Sequence, residues 1–519
     1  MSSRVPRRLE SLLAAIACAA AFVAWIVYFR ADLVLSHYDA KAHLVVARRL
    51  FDNITPGWQQ VGAVWLPLPH LINALPAQVD VLYRTGLFAS LVSILCLGVS
   101  AWAAARLVLR MTGSTLGAIA AVALLASNPN LLYLHATPMT EPLLIAAVMV
   151  SLLWLYEWVE AGADAVPARL GIALFAAAWT RYEAWPVLVS ALIGAAYAVW
   201  RRTGSLSATW PRMLRLSVWP AAALVVFLVN SRVTVGSWFV TDGFYVPDPT
   251  YQHDLQRTLL GIWWGTHQLS GYVSEIVALG AAAIAVIAAA RRRTAVWLVP
   301  LTLFAAASLP AYAFYAGHPY RIRYMIPLVG ACAVWGGIAV GLASQRARIG
   351  GALLTAALAA SMLIESPPWK AQPPMVEEAQ WDVPDSHRRQ AVTACLSGAY
   401  HGEKVLASMG SLAHYMQELS HSGFRLADFI NEGNGIIWND ALETGPAAHA
   451  GWMLVEEEAE GGDVLAARIR SDAAFARGMD RICEGGGVAL YRRMTNPNAQ
   501  IPSPKSQDAV LLGTSSTLH

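Results

Sequence analysis

Eleven apolar runs separated by polar loops constrain this 519-residue chain more than any other feature of its sequence. An α-helix needs about 20 mostly apolar residues to cross the hydrocarbon core of a bilayer. Charged residues make up only 14% of the chain, whereas soluble domains carry about 25%. The sequence therefore predicts a polytopic α-helical membrane protein with about 11 transmembrane helices. The runs lie near residues 12–29, 81–105, 115–134, 141–158, 169–185, 186–200, 214–230, 271–290, 295–315, 325–343 and 350–364.

The N-terminal run has features of two kinds of targeting segment. Arg4, Arg7 and Arg8 precede it, as in a cleavable signal peptide. The run is longer than a typical signal core, however, and it ends at Phe29-Arg30-Ala31-Asp32 without a small-x-small cleavage pattern. We therefore expect a retained signal anchor.

Basic side chains cluster at alternate ends of the apolar runs, and this alternation predicts the topology. Cytoplasmic loops are enriched in Lys and Arg, and one threading places every cluster inside; only the acidic turn 159–168 disagrees. We therefore expect a multi-pass protein of the inner (plasma) membrane, with a cytoplasmic N-terminus and an extracytoplasmic segment after residue 365. The clusters are Arg4, Arg7 and Arg8; Arg106 and Arg110; Arg201, Arg202, Arg212 and Arg215; Arg291, Arg292 and Arg293; Arg346 and Arg348.

The composition changes after the last apolar run, where the chain becomes polar and mixed in pattern. Two proline pairs, at 367–368 and 373–374, mark the exit. Short apolar strands alternate with helical segments beyond them, which is typical of a small α/β domain. We predict a transmembrane domain over 1–365, an extracytoplasmic α/β domain over 366–495 and a disordered tail over 496–519. The predicted strands are 405–408, 452–455 and 487–491, and the predicted helices are 411–419 and 472–480.

Two of the five cysteines, Cys395 and Cys483, lie in this polar segment. If the segment is exported, they can form a disulfide; if it is not, they remain free. The other three cysteines lie in apolar runs. The sequence leaves both states of the pair open.

The first outer loop begins with Tyr38-Asp39 directly after the first apolar run. If residues 39–51 are helical, Asp39 and His43 share a face, because residues four apart are neighbours on a helix. The pattern indicates a helix lying on the membrane surface. Asp39 is then either a surface charge or a general base that deprotonates an acceptor. Further along, Trp58, Trp65 and His70 suit either an interfacial belt or a platform for a sugar ring.

Charged and aromatic residues recur in three later outer loops. Thr140-Glu141-Pro142 has the form of a helix start, and it also places a second acid near the outer surface. Thr180-Arg181-Tyr182-Glu183 interrupts an apolar stretch, where charges are paired or functional. Tyr320-Arg321-Ile322-Arg323-Tyr324 places two arginines on the outer side. They predict either a bound phosphate or an ion pair with an acid such as Glu141.

Together these motifs resemble the GT-C superfamily of glycosyltransferases, which use sugars carried on a polyprenyl phosphate. The branch of protein O-mannosyltransferases and aminoarabinose transferases has the most similar layout, and the resemblance covers about residues 1–365. One departure is Ala40, because members of that branch commonly have Asp-Glu where this chain has Asp39-Ala40. The Trp-Trp-Asp signature of the oligosaccharyltransferase branch is absent from the C-terminal segment, which disfavours asparagine-linked transfer.

The resemblance implies an inverting glycosyltransferase with Asp39 as general base and Glu141 as the second acid. Arg321 and Arg323, with Arg181, would stabilise the phosphate that leaves. The predicted partners are a polyprenyl-phosphate sugar donor, a protein, lipid or glycan acceptor and membrane lipids. No nucleic acid is expected at a net charge of +3. The predicted substrate-binding residues are Tyr38, His43, His70, Arg181, Tyr182, Glu183, Tyr320, Arg321, Arg323 and Tyr324.

No cofactor is required by this chemistry, although His37, His43 and Glu141 could form a site for a divalent metal. Two other classes of function remain open. A secondary transporter of a lipid or small solute would bind at the bilayer midplane, through broken helices and intramembrane charges. A noncatalytic envelope assembly protein would use the C-terminal domain as a binding module. The concentration of polar residues in the outer loops favours the enzyme.

Overall fold

The predicted apolar runs fold as α-helices. An α-helix forms its backbone hydrogen bonds within a single segment, which suits an apolar surrounding. The computed structural model describes residues 7–240, 247–291, 294–459 and 461–494. The predicted disordered tail 496–519 and three residues of the basic clusters, Arg4, Arg292 and Arg293, lie outside these ranges.

The helices in the described ranges are α1 (Arg7–Arg30), α2 (Tyr38–Arg48), α3 (Leu68–Asn73), α4 (Asp80–Thr85), α5 (Leu87–Thr112), α6 (Thr115–Ala126), α7 (Pro129–Leu134), α8 (Glu141–Ala161), α9 (Ala168–Ala178), α10 (Ala184–Thr203), α11 (Leu206–Thr234), α12 (Leu255–Ser270), α13 (Tyr272–Ala289), α14 (Leu298–Leu301), α15 (Ser308–Tyr315), α16 (Ile326–Arg346), α17 (Arg348–Glu365), α18 (Pro374–Ala379), α19 (Val383–Ala399), α20 (Met409–Leu419), α21 (Ile436–Thr444) and α22 (Val464–Ser471). The strands are β1 (Val405–Ala407), β2 (Phe429–Ile430), β3 (Trp452–Glu456), β4 (Met479–Gly485) and β5 (Val488–Arg493).

Nine helical segments of the described chain are long and apolar enough to cross a membrane. Two of the eleven predicted spans instead form shorter apolar helices, α6 and α9. The first is short because Asn128 and Pro129 interrupt its run: the Asn128 side chain accepts hydrogen bonds from two backbone N–H groups of α7 and starts a new helix. The nine segments are Arg8–Arg30, Leu87–Thr112, Glu141–Ala161, Ala184–Thr203, Leu206–Thr234, Tyr272–Ala289, Ala295–Tyr315, Ile322–Arg346 and Arg348–Glu365.

Helix α16 lies at the centre of the transmembrane part, where 83% of its apolar window is buried. It packs closely on α6 because both helices present glycine at the contact. A Cβ atom added to Gly117 would lie 2.6 Å from the carbonyl oxygen of Gly337. Small residues at such crossings let two backbones approach within membranes. This packing fixes the position of the segment that leads into α16 from the outer side.

The C-terminal segment forms a five-stranded sheet with the order β2-β1-β3-β5-β4. Strand β1 pairs in parallel with β2 and β3, while β5 pairs antiparallel with β3 and β4. The three predicted strands and the helix at 411–419 are confirmed. The helix predicted over 472–480 is wrong: α22 precedes it at Val464–Ser471, where Asp463 caps the helix, and β4 begins at Met479.

The predicted helix of the loop after α1 forms as α2, but it is buried inside the protein rather than exposed on its surface. Its residues Ala40 to Arg48 are all buried, because α3 packs on one side and α20 of the sheet domain on another. The loop after α2 also binds this domain. The Asn434 amide donates to Asn53 over 2.6 Å, and the Gln60 amide donates to the Gly433 carbonyl over 2.7 Å. The sheet domain is therefore docked onto the first outer loop.

Cys395 and Cys483 are joined by a disulfide, with their Cα atoms 6.6 Å apart. The bond connects α19 to β4, on one edge of the sheet. The two cysteines, which the sequence left either bonded or free, are therefore bonded. The bond links the helix that precedes the sheet covalently to the sheet.

Replacing Cys395 and Cys483 together by serine should lower the thermal unfolding midpoint of the sheet domain. The two residues are 88 positions apart, and a cross-link of this kind stabilises a fold by about 2–4 kcal/mol, mainly by restricting the unfolded chain. The midpoint can be followed by the temperature at which the domain becomes sensitive to protease. Reductant should lower the wild-type midpoint by the same amount and leave the double variant unchanged. Cys18→Ser, a substitution at a free cysteine of α1, is the matched control; an unshifted double variant would refute the expectation.

Candidate active site

Arg323 lies at the centre of a buried cluster at the N-terminal end of α16. It belongs to the short helical turn Ile322–Met325 that leads into that helix. One terminal nitrogen, Nη2, lies 2.6 Å from the Asp39 carboxylate, and the other, Nη1, lies 2.8 Å from Nε2 of His37. The guanidinium also lies over the ring of Tyr38, 5.9 Å from its centroid. The predicted base and one predicted phosphate-binding arginine therefore form a direct ion pair.

His37 positions the start of α2, because its Nδ1 accepts a hydrogen bond of 3.0 Å from the backbone N–H of Asp39. The other ring nitrogen, Nε2, lies 2.8 Å from Nη1 of Arg323 and 3.6 Å from the carboxylate of Glu378. The ring thus orients Asp39 through the backbone.

Glu378 completes the cluster, and sequence reasoning missed it. Its side chain is buried; Oε2 accepts a hydrogen bond of 3.1 Å from the Ile322 backbone N–H, and Oε1 lies 3.7 Å from Nε of Arg323. Burial acts to raise its pKa, but the contact with His37 and the charge of Arg323 hold that pKa below its ordinary value. A signal existed in the spacing, because Met375, Glu378 and Ala379 lie three and four positions apart on the buried face of α18.

Asp39 is ionised in this surrounding. Burial alone would raise the pKa of its carboxyl, but the charge of Arg323 outweighs burial and holds the pKa at about 2. A carboxylate tied so closely to a guanidinium is a weak base. Its basicity therefore depends on whether Arg323 is occupied by another anion.

A second ionic cluster surrounds Arg181 in the turn between α9 and α10. Its guanidinium lies 3.1 Å from Glu141 and 2.6 Å from Glu183, and it donates a hydrogen bond of 2.9 Å to the Thr140 hydroxyl. Glu141 is fully buried, and the guanidinium of Arg181 lies against its carboxylate. Burial acts to lower the pKa of Arg181, but the two carboxylates outweigh it and raise that pKa above its ordinary value. Glu141 is thus held as a counter-ion of Arg181.

Thr140 connects this cluster to a pair of histidines. His43 Nε2 lies 3.5 Å from the Thr140 hydroxyl, and His43 Nδ1 lies 3.1 Å from His70 Nε2. The ring of Trp65 covers both histidines, with centroids 4.2 Å and 5.8 Å away. Burial lowers the pKa of both rings, that of His70 to about 3, so the two are neutral at pH 7. They form a neutral polar wall beside Asp39.

The other predicted binding residues fall into two groups. Arg321 and Tyr324 lie beside Arg323, and the guanidinium of Arg321 lies 5.2 Å from the centroid of Trp381. Tyr182 and Tyr320 are used for packing, because their hydroxyls donate to the backbone carbonyls of Val64 and Gly261. The structure brings the first group together with Asp39 and leaves the second in the surrounding scaffold.

Within the described ranges, no group of three or more His, Cys, Asp or Glu side chains is arranged to hold a metal ion. The set of His37, His43 and Glu141 is therefore not assembled as a metal centre there. His43 is engaged by His70 and Thr140 instead, and Glu141 is engaged by Arg181.

No protein-family model matches the chain, and no curated protein matches it significantly. The fold and the geometry of the two ionic clusters are accordingly the observations that define what this protein can do. They describe a polytopic helical protein with a small C-terminal sheet domain and a buried arginine-carboxylate centre between the two parts.

Substituting Arg323 by Gln should reverse the direction in which the titration of Asp39 changes the stability of the protein as the pH falls. In the wild type the depressed pKa means that ionised Asp39 stabilises the fold above about pH 4, and this contribution is lost as the pH falls toward 2. Without the guanidinium, burial remains and raises the pKa of Asp39 above its ordinary value. The variant should lose about 3–5 kcal/mol at pH 7 and recover part of it as the pH is lowered to 5.

Unfolding midpoints measured at pH 5, 6 and 7 in detergent would check this. The double variant Arg323→Gln with Asp39→Asn is the matched control, since it lacks the titrating group and should not show the recovery. If all three proteins share one pH profile, Asp39 and Arg323 are not coupled as the structure has them.

Proposed function

We propose that this protein is an integral-membrane inverting glycosyltransferase that takes its sugar from a polyprenyl-phosphate donor. The observation that carries the proposal is the buried Arg323–Asp39 ion pair at the outer end of α16. It combines a carboxylate that can accept a proton with a guanidinium that can bind a phosphate, in one site and at the level where a span meets its outer loop.

The proposed reaction is a single displacement at the anomeric carbon. The phosphate of the donor binds Arg323 and the neighbouring Arg321, because guanidinium groups form paired hydrogen bonds with phosphate oxygens. The acceptor hydroxyl attacks the anomeric carbon as its proton passes to Asp39. The bond between that carbon and the phosphate oxygen breaks, and polyprenyl phosphate leaves with the electron pair. The arginines stabilise the charge that develops on the leaving group.

Donor binding would also activate the base. Arg323 is occupied by Asp39 in the structure, so an incoming phosphate has to share or displace this carboxylate. A carboxylate that loses its guanidinium partner in a buried site gains basicity. Asp39 would therefore become an effective base once the donor is in place.

A small apolar cleft, with room for about one water molecule, lies beside the Arg181 cluster. Its walls come from α8, α10, α16 and the segment 302–307, together with Glu183. A chain of isoprene units needs an apolar path within the membrane, so the proposal requires this cleft to widen when the donor binds. The lining residues are Leu144, Ile145, Val148, Met149, Val187, Leu303, Ala306 and Pro327.

The proposed orientation places the N-terminus in the cytoplasm and the sheet domain outside the inner (plasma) membrane. The disulfide of that domain supports it, because such bonds persist in oxidising compartments. The acidic turn 159–168 no longer argues against it. Asp164 pairs with Arg212 of a basic cluster, and Glu157 beside the turn accepts from Arg106 over 2.7 Å. The acids balance cytoplasmic arginines.

Asp39→Asn should reduce the rate of sugar transfer by about 10²- to 10⁴-fold, the usual contribution of a general base. Asparagine keeps the size of the side chain but cannot take the acceptor's proton. The measurement is turnover of radiolabelled polyprenyl-phosphate sugars by purified protein, with membrane extract as the source of acceptors.

The matched control for this experiment is Asp32→Asn. Asp32 is an exposed acid of the same loop with a φ of 58°, a conformation that asparagine tolerates. It should transfer sugar at the wild-type rate. Equal activity of Asp39→Asn would remove Asp39 from the mechanism. Transport of a soluble substrate by wild-type protein that turns over no donor would favour a transporter instead.

Cysteine labelling in intact cells should separate the two sides of the membrane. Ser422 in the sheet domain and Ser207 in the first turn of α11 are both exposed, and each is replaced by Cys. A membrane-impermeant maleimide should label the first in intact cells and the second only after lysis. The opposite result would reverse the proposed topology. The wild-type protein is the control, since its free cysteines lie in apolar helices.

A further inference from the structure

A charged contact between the sheet domain and α2 lies close to the proposed base. Lys41 follows Asp39 by two residues, and its ammonium lies 2.6 Å from a carboxylate oxygen of Glu418 on α20. Both side chains are largely removed from solvent, with 10% and 18% of their surfaces exposed. The pair therefore joins the helix that carries Asp39 to the domain that follows the membrane spans.

Glu418 is itself held in place from within the sheet domain. The Ser386 hydroxyl donates to it over 2.9 Å, and the guanidinium of Arg389 lies 3.2 Å away. Arg389 is almost completely buried and binds both oxygens of Asp382, at 2.9 Å and 2.6 Å. Arg389 lies on α19, the helix that the disulfide fastens to the sheet. Lys41 therefore contacts a rigid group.

Two charged contacts near the start of α2 restrain its rotation from different sides. Successive residues of an α-helix are about 100° apart, so Asp39 and Lys41 project in nearly opposite directions. Arg323 holds the first and Glu418 holds the second. Further polar contacts with the domain come from Arg49 and from the loop that follows it. A rotation of α2 would move both charges away from their partners.

We propose that Lys41 and Glu418 are positioning residues of the transfer reaction, through which the C-terminal sheet domain fixes the orientation of α2 and thereby of Asp39. The catalytic part of this inference rests on the proposed function, whereas the restraint on α2 does not. The domain is then a structural part of the catalytic unit, in addition to whatever acceptor it contacts.

The test substitutes Lys41 by Met, which keeps the length of the side chain and removes its charge. Glu418 retains Arg389 and Ser386, so the sheet domain should remain folded. Hydrogen exchange of the α2 amides, residues 38–48, should become about 5- to 10-fold faster. The value of kcat should fall about 10- to 100-fold, because a misplaced catalytic group slows the chemical step, while KM for the polyprenyl-phosphate sugar should stay within about twofold. Lys41→Arg should restore both quantities to within about threefold.

Arg481→Met is the matched control, because it breaks an exposed ion pair of 2.8 Å with Glu457 in the same domain, away from α2. It should change neither exchange nor turnover. Unchanged exchange in Lys41→Met, together with wild-type activity, overturns the inference and leaves the proposed function standing. If Lys41→Met exchanges faster but the wild-type protein transfers no sugar, the restraint on α2 is supported and the glycosyltransferase is refuted. Loss of transfer with unchanged exchange refutes positioning as the cause.

Discussion

The buried ion pair between Arg323 and Asp39 is the interaction on which the rest of the outer site depends. A charge withdrawn from water is costly unless it is paired and hydrogen-bonded, so each partner requires the other. The pair also requires its surroundings: His37 fixes the start of the helix that carries Asp39, and Glu378 binds the backbone beside Arg323. These groups come from the first outer loop, the entrance to α16 and the exit segment after α17. The ion pair and the contacts of Glu378 thus join three distant parts of the chain.

The distribution of charge explains how such a site can bind an anion and still remain folded without one. Arg181 is shared by Glu141 and Glu183, and Arg323 is shared by Asp39 and Glu378. Each guanidinium is therefore compensated by carboxylates of the chain itself. In the proposed reaction, the donor phosphate displaces Asp39 from Arg323, and the carboxylate that loses its partner is the proposed base.

The sheet domain packs directly against the helix that carries Asp39, and it is not merely connected to the transmembrane helices by a linker. It covers α2, binds the loop that follows it, and supplies Glu418 to Lys41. The chain that leads into the domain supplies Glu378. These contacts bury polar groups of the loop that connects α1 to α5, which would otherwise be exposed to solvent. The helix that the sequence assigns to that surface is therefore an internal helix of the folded protein.

The sequence by itself determined the features that depend on local pattern: the apolar spans, the sheet domain after residue 365, three of its strands, and the prominence of Asp39, Arg181 and Arg323. Length and hydropathy suffice for the spans, whereas the strands and the charged residues follow from short local patterns. Only the tertiary structure decided which charges meet. The pairing of Asp39 with Arg323, the engagement of Glu141 by Arg181, the role of Glu378 and the burial of α2 all join residues that are far apart in the chain. No local periodicity records such contacts, because they depend on how helices pack.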